Sequence, residues 1–342
     1  MSVRAPVGDI NITKQELCLG RGICSLSSRD PDNLFLYYLL KFNASNLINN
    51  ETGSVFGSVN KDIIGSMQIS LPDSQTRMKI GNILNTIDCC IELNSRINDY
   101  LANIIEEIYN NWFEKHDEDL SNSTNGWHQG SIYELLSIRY GAPFKSSLFN
   151  EEKRGLPLIR IRDLVNCSPQ FYTDEINSKA TIVLPGDLLI GMDAEFRPHI
   201  WYGEKSLLNQ RVCKVEMKFG LTPYLALLLL RSELNFIESY KTGTTVSHIG
   251  KADFDTMEIT VPPIEEMKKF SDVIRPIVEL MIINRQENST LRSGRASQDI
   301  CRRTPTYFYI SRLPFRNHTE TEGRWEGFLT NCQMTTAGGW SC

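Results

Sequence analysis

The sequence has no C-x-x-C pair, and none of its nine cysteines has a histidine at zinc-finger spacing, which argues against a structural metal site. Cys18, Cys24, Cys89, Cys90, Cys167, Cys213, Cys301, Cys332 and Cys342 are scattered and read as reduced, mostly packing residues. Long apolar runs are missing too. The most apolar stretch, YLALLLL at Tyr224–Leu230, is far too short to cross a bilayer and reads as a buried helix. The opening residues, MSVRAPVGDINITKQEL, have no apolar core of a signal peptide, so a cytoplasmic location with no membrane partner is expected. There is no excess of positive charge: the net charge is -5, which argues against indiscriminate coating of nucleic acid but leaves room for a local basic groove. Catalytic signatures are absent as well. His116, His128, His199, His248 and His318 are dispersed, and no G-x-S-x-G, P-loop or H-E-x-x-H occurs. The chain reads as non-catalytic, with no catalytic residue, no metal and no cofactor.

What the 342 residues do contain is one segment used twice. TGSVFGSVNKDIIGSMQISLPD (Thr52–Asp73) returns as TGTTVSHIGKADFDTMEITVPP (Thr242–Pro263), 190 positions later. Thr52 and Gly53 match Thr242 and Gly243, Lys61 matches Lys251, and Met67, Ile69 and Pro72 match Met257, Ile259 and Pro262. Upstream, LGRGICSL (Leu19–Leu26) aligns with LNQRVCKV (Leu208–Val215) at a one-residue shift; downstream, Asn94 and Asn98 match Asn284 and Asn288. Three blocks in one order at nearly constant offset identify a duplicated unit. In each copy, short apolar runs and turns lead to an alternating strand, a proline stop and a long amphipathic helix.

The first helix is expected over residues 73–115. Ile80, Leu84, Ile87, Ile91, Leu101, Ile105, Ile108 and Trp112 recur at spacings of four and three, a seam of about five heptads and about 60 Å. Such a seam needs a partner. Phe270, Val273, Ile274, Ile277, Leu280 and Met281 supply one in the second unit, in a helix expected over 264–292. Asn94 falls at the middle of the first helix, and Asn284 would fall at the middle of an equally long second one. If these pack antiparallel about a pseudo-two-fold axis, the two amides are expected to face each other and fix the register.

GAPF (Gly141–Phe144), LIRIRDL (Leu158–Leu164), PGDLLIGMDAEFRPHIW (Pro185–Trp201), LNQRVCKV and TGTTVSHIGKADF together resemble the specificity subunit of type I restriction-modification enzymes. MSVRAPVGDINI and GRGICSL resemble the other common version of the same blocks, and the resemblance covers Met1 to about Leu291. It implies an α+β chain: α/β target recognition domains joined by long antiparallel coiled-coil helices with a pseudo-two-fold repeat. The domains expected are the C-terminal part of a first recognition domain (1–72), a first spacer helix (73–115), a second recognition domain (127–263), a shortened second spacer helix (264–292) and a divergent, poorly ordered tail (293–342). The partners implied are double-stranded DNA and the methyltransferase (M) and restriction (R) subunits, with self-association as a further option. The motifs of an adenine methyltransferase and the carboxylate-and-lysine pattern of a nuclease are missing, so any reaction belongs to the partners.

Two departures from the family pattern stand out. The residues that precede IGMDAEF in the second unit have no counterpart before MSVRAPVG, so the chain is expected to start inside its first recognition domain, with unpaired strand edges and an open core there. Beyond Leu291 neither helical nor strand period continues. A wrong reading frame, an appended module and a basic disordered tail all stand open for that segment, and residues 74–88 are expected to lack a helical partner.

Reading a duplex needs side chains that offer paired hydrogen bonds to base edges, with basic and hydroxyl groups on the phosphates. In the second unit Tyr140, Lys145, Arg160, Arg162, Asp193, Arg197, Asn209, Gln210 and Arg211 lie beside glycine-rich turns, and Thr244, Thr245 and His248 lie on a loop whose glycine permits close backbone approach. Any one of these could instead stabilise a turn, and Asn209 and Gln210 could satisfy buried backbone groups. As a cluster they read as a DNA-facing surface. Arg4, Arg21, Thr52, Ser54 and Ser58 hold equivalent places in the first unit. The competing reading is a coiled-coil interaction protein whose recognition fold no longer reads DNA.

Overall fold

The computed structural model of the protein describes residues 1–44, 59–113, 126–193, 196–241, 248–296 and 322–324. The chain forms two compact units, one of Met1–Glu92 with Thr290–Cys342 and one of Leu93–Ser289. The architecture is α+β, as expected. No helix among the described residues is long and apolar enough to cross a membrane.

In the first unit, helix α1 (Asn33–Phe42) is followed by the short helix α2 (Lys61–Gly65), strand β1 (Gln68–Ser70) and the start of helix α3 (Ser74–Phe113). Phe35, Leu36, Leu39 and Leu40 recur at helical spacing on α1 and bury themselves against Ile80 of α3 and against Ile69 and Leu71. Gly81 makes the approach possible, because a Cβ there would lie 2.6 Å from the amide nitrogen of Phe35. Arg77 is buried among Asp30, Asp32 and the Pro72 carbonyl, and Tyr38 donates to Asp88 at 2.9 Å. Residues 74–88 therefore do have a helical partner. The expectation otherwise is corrected, because α1 packs on α3 at Ile80 and Gly81 and its Tyr38 reaches Asp88.

The start of α3 is capped by Asp73, whose carboxylate accepts from the Thr76 amide at 3.0 Å and the Thr76 hydroxyl at 2.6 Å. Those bonds hold the exposed carboxyl below its ordinary range. A small core of Val3, Val7, Cys24, Val59 and Ile64 closes this unit. The edge of β1 is paired, antiparallel, with the strand Glu322–Arg324, with Ile69 opposite Gly323. That strand departs from the expected absence of strand structure beyond Leu291. Residues 297–321 and 325–342 lie outside the described residues.

In the second unit, β2 (His128–Ser131) and β3 (Leu136–Tyr140) are followed by β4 (Leu156–Ile159), β5 (Tyr172–Thr173), β6 (Ile182–Val183), β7 (Leu188–Gly191), β8 (Pro198–Ile200), β9 (Ser206–Leu208) and β10 (Val212–Met217). Helices α4 (Pro223–Lys241) and α5 (Lys251–Asp255), strand β11 (Glu258–Val261) and helix α6 (Ile264–Ala296) complete it. One antiparallel sheet has the order β3-β10-β7-β8; a second, β5-β4-β9-β6, contains the parallel pair β4–β9; β11 pairs with β2 as a separate ribbon. The apolar run at Tyr224–Leu230 is buried within α4, as its composition implied.

The remainder of α3 packs antiparallel on α6. Trp112 donates to Glu266 at 2.9 Å near one end of the contact, and Ser95 bonds Asn288 at 3.2 Å near the other. Between them, Asn284 donates to the Asn98 side-chain oxygen at 2.9 Å, and Asn98 donates to the Met281 carbonyl at 2.9 Å. Asn94 donates to Asn288 at 3.1 Å and to Glu287 at 2.8 Å. The expected pairing of Asn94 with Asn284 is corrected by one helical turn. Under the repeat, Asn94 corresponds to Asn284 and Asn98 to Asn288, so the bonds 94–288 and 98–284 exchange with each other. A local two-fold therefore passes between the two bonds rather than through Asn94. Asn98 is only 5% exposed, so its partners have no access to replacement water. Replacing Asn98 with alanine is expected to cost about 1–3 kcal/mol in chemical denaturation, because it leaves the buried Asn284 amide without its acceptor. Replacing Asn98 and Asn284 together with leucine should recover most of that loss.

Candidate nucleic-acid interface

Strand register brings the candidate residues of the second unit to one rim. The end of β3, the end of β7 and the start of β10 are level, since Cys213 pairs with Tyr140 and Val212 with Gly191. Leu208 pairs with Ile159, so β9 and β4 run out at one level, and Ala142 bridges Asn209 between the two sheets. Pro198 pairs with Ile190, which puts Arg197 at the same rim. Asp193 bridges His248. Arg160, Asp193, Arg197, Asn209, Gln210, Arg211 and His248 thus occupy loops of one continuous edge.

The local reasons are visible in the backbone. The Val212 amide bonds the Asn209 carbonyl at 3.0 Å, so Gln210 and Arg211 form the corners of a tight turn and both are exposed. Asn209 itself serves the frame: its amide bonds the Ile159 carbonyl at 3.1 Å, and a Cβ on Gly141 would lie 2.0 Å from its carbonyl oxygen. The glycine of GAPF is there to let the two sheets touch. After β4, Asp163 accepts from the Arg160 amide at 2.9 Å, and the Arg160 guanidinium lies over the Phe171 ring at 4.3 Å. Two of its nitrogens, Nε and Nη2, are buried with no hydrogen-bond partner among the described residues, Nε lying 3.7 Å from the Asp163 carboxylate. Burial raises the Asp163 carboxyl above its ordinary range, although Arg160 and Arg162 oppose the shift. Arg162 and Lys145 are exposed, and the Lys145 amide bonds Glu175 at 2.8 Å.

Tyr140 requires a correction. Alternation along β3 turns Leu136, Ile138 and Tyr140 to the same, inner face, and the Tyr140 hydroxyl is buried rather than offered to a ligand. Its neighbour Tyr133 donates to Asp255 at 3.0 Å. Burial, with the Asp255 carboxylate, pushes the Tyr133 phenol up to about 12, and burial raises Tyr140 further still. Cys213 lies beneath the same rim, and burial pushes its thiol up to about 12, an inert packing residue as its scatter implied. Thr244, Thr245 and Ser58, with Thr52 and Ser54, lie outside the described residues.

Three contributors escaped the sequence reading. Phe171 stacks under Arg160, and Asp163 caps the turn; an acidic residue three positions after Arg160 was the available signal. Lys241 donates to the His248 carbonyl at 2.9 Å and to Asp253 at 2.5 Å, tying the end of α4 to the loop that carries His248.

The first unit repeats the heart of this arrangement. Ser2 bridges Ile23 as Gly191 pairs with Val212. The Val3 amide bonds the Gly22 carbonyl at 2.8 Å, and the Val59 amide bonds the Val3 carbonyl at 3.0 Å. Their counterparts are Met192 to Arg211 at 3.0 Å and Ile249 to Met192 at 2.9 Å. Arg4 and Arg21 are exposed at the positions equivalent to Asp193 and Gln210.

The type I restriction modification DNA specificity domain matches residues 1–103 and 124–293. The chain belongs to that family. It is 35% identical over 147 residues to the type I restriction enzyme EcoBI specificity subunit of Escherichia coli, a match covering 42% of this chain and 31% of that protein. It is 25% identical over 334 residues to the MjaIX specificity subunit of Methanocaldococcus jannaschii, covering 86% of this chain and 74% of that one. The fold is similar to that of a type I restriction-modification system S subunit from M. genitalium, with a TM-score of 0.52 at 14% identity over 89% of this chain and 80% of that chain. Among the described residues no group of three or more His, Cys, Asp or Glu is placed to hold a metal ion.

Replacing Gly141 with alanine should separate the two sheets at Asn209 and cost about 1–3 kcal/mol in thermal or denaturant unfolding. Replacing Gly20, which has open space around it, serves as the control and should change little.

Proposed function

We propose that this chain is the DNA sequence-recognition subunit of a type I restriction-modification complex, acting in the cytoplasm. The rim of the second unit reads a half-site of double-stranded DNA. Residues 127–263 form this reading head, residues 1–72 belong to a second one, and the helices over 73–115 and 264–292 serve as spacer and as dock for methyltransferase and restriction subunits. The observation that carries this reading is the collection of Arg160, Arg197, Gln210, Arg211 and His248 on loops of one edge, a mixture of phosphate-holding and base-reading groups. Catalysis belongs to the partners. Tyr100 and Ile104 are exposed on α3 beside Trp112 and Trp127, and this apolar groove is suited to a docking helix.

Selection of randomised duplexes by the full chain at low salt, with and without a methyltransferase partner, tests the proposal. Enrichment of a short motif, lost in the Arg160→Ala/Arg197→Ala variant, is expected; affinity should fall steeply as salt rises. Recovery of no motif, or a motif indifferent to both substitutions, would favour the interaction-protein reading instead.

A further inference from the structure

At the rim of the second unit, two side chains from separate loops meet on the carboxylate of a third. His248 Nδ1 lies 2.7 Å from Asp193 Oδ1, and Arg211 Nη1 lies 3.6 Å from the same oxygen. All three are solvent-accessible, with side-chain exposures of 45% for His248, 55% for Arg211 and 25% for Asp193. Exposed ion pairs of this kind stabilise a fold very little. The backbone beneath them does not need them either. In the first unit the same three loops close with the same hydrogen bonds through Val3, Gly22 and Val59, while the positions of Asp193 and Arg211 are held by Arg4 and Gly22. One copy of the knot forms without the carboxylate, the guanidinium or the imidazole seen in the other. Their chemistry is therefore free to serve something other than folding.

We infer that Asp193 is a positioning residue that holds Arg211 and His248 together as the element reading one G·C base pair in the half-site of the second unit. The inference rests on the proposed DNA-reading role and names its substrate chemistry. A carboxylate oxygen accepts, so the imidazole donates to Asp193 from Nδ1, and in its neutral form this leaves Nε2 as an acceptor. The guanidinium beside it retains donors beyond the one turned toward Asp193. A donor fork next to an acceptor is complementary to guanine O6 and N7 next to the cytosine N4 amine, the major-groove face of a G·C pair. Asp193 does not itself contact the duplex. Its charge opposes the phosphates, and its contribution is to hold the other two in place.

The test is duplex selection and affinity measurement with the full chain and its Asp193→Asn, Asp193→Glu and Arg211→Ala variants. The wild type should enrich a motif containing one strongly preferred G·C pair, and Arg211→Ala should lose that preference. Asp193→Asn should reduce preference at the same pair by about tenfold, the discrimination carried by one paired contact. It should at the same time bind non-specific duplex more tightly, because a negative charge is removed. Asp193→Glu should recover part of the preference. A merely structural role would weaken specific and non-specific binding together, and that result overturns the inference. So does an Asp193→Asn variant that keeps the G·C preference while Arg160→Ala/Arg197→Ala loses the motif, which leaves the recognition role standing. A wild type that enriches no motif overturns both.

Discussion

The buried amides at the crossing of α3 and α6 set the register on which the second unit is built. An all-apolar seam of this length would tolerate sliding by a heptad at modest cost. Asn98 removes that freedom, since any slide would leave its amide and that of Asn284 in an apolar interior without partners. The consequence reaches the sheets, because Ile105 and Phe113 of α3 and Phe270, Ile274 and Val278 of α6 belong to the same core as Leu188, Ile190, Cys213 and Val215 of the strands. Fixing the helices fixes the surface on which the recognition fold rests.

On that support the strands do a second job. Because β3, β7, β10, β4 and β9 run out at matched levels, loops from distant parts of the sequence reach one edge. Gly141 lets the sheets close, the turn at Asn209–Val212 presents two polar corners, and the Arg160 guanidinium rests on an aromatic ring. The hydrogen-bonded knot of three loops is common to both units while the residues standing on it differ, as Arg4 against Asp193 shows. A shared scaffold with substituted tips is what two readers of unlike half-sites require.

Much of this was legible in the residues, and the failures have physical causes. With the helices taken as antiparallel, the repeat predicted that their amides meet, because an offset of 190 relates both asparagines of one helix to both of the other. It missed the register by one turn, since a pattern of equivalent residues cannot say whether a symmetry axis passes through a residue or between two. α1 was invisible as the partner of residues 74–88 because its contact depends on Gly81, a residue that carries no hydrophobic signal. Pro276 inside α6 removes the donor to the Asp272 carbonyl and would ordinarily argue for a break, yet the apolar face on either side carries the helix through. The inward turn of Tyr140 was readable from strand alternation with Leu136 and Ile138, whereas Phe171 under Arg160 depends on a loop whose course no short-range pattern records.

The central claim, that one polar rim of a duplicated frame faces the duplex, is tested most directly by photocrosslinking. The full chain would be bound to its enriched duplex carrying 4-thiothymine, and the adducts mapped by mass spectrometry. The account predicts adducts on the loops around residues 160–162, 197, 209–211 and 248. Adducts confined to the exposed face of α3 around Tyr100 and Ile104, or to the far ends of the strands near Lys218, would contradict it.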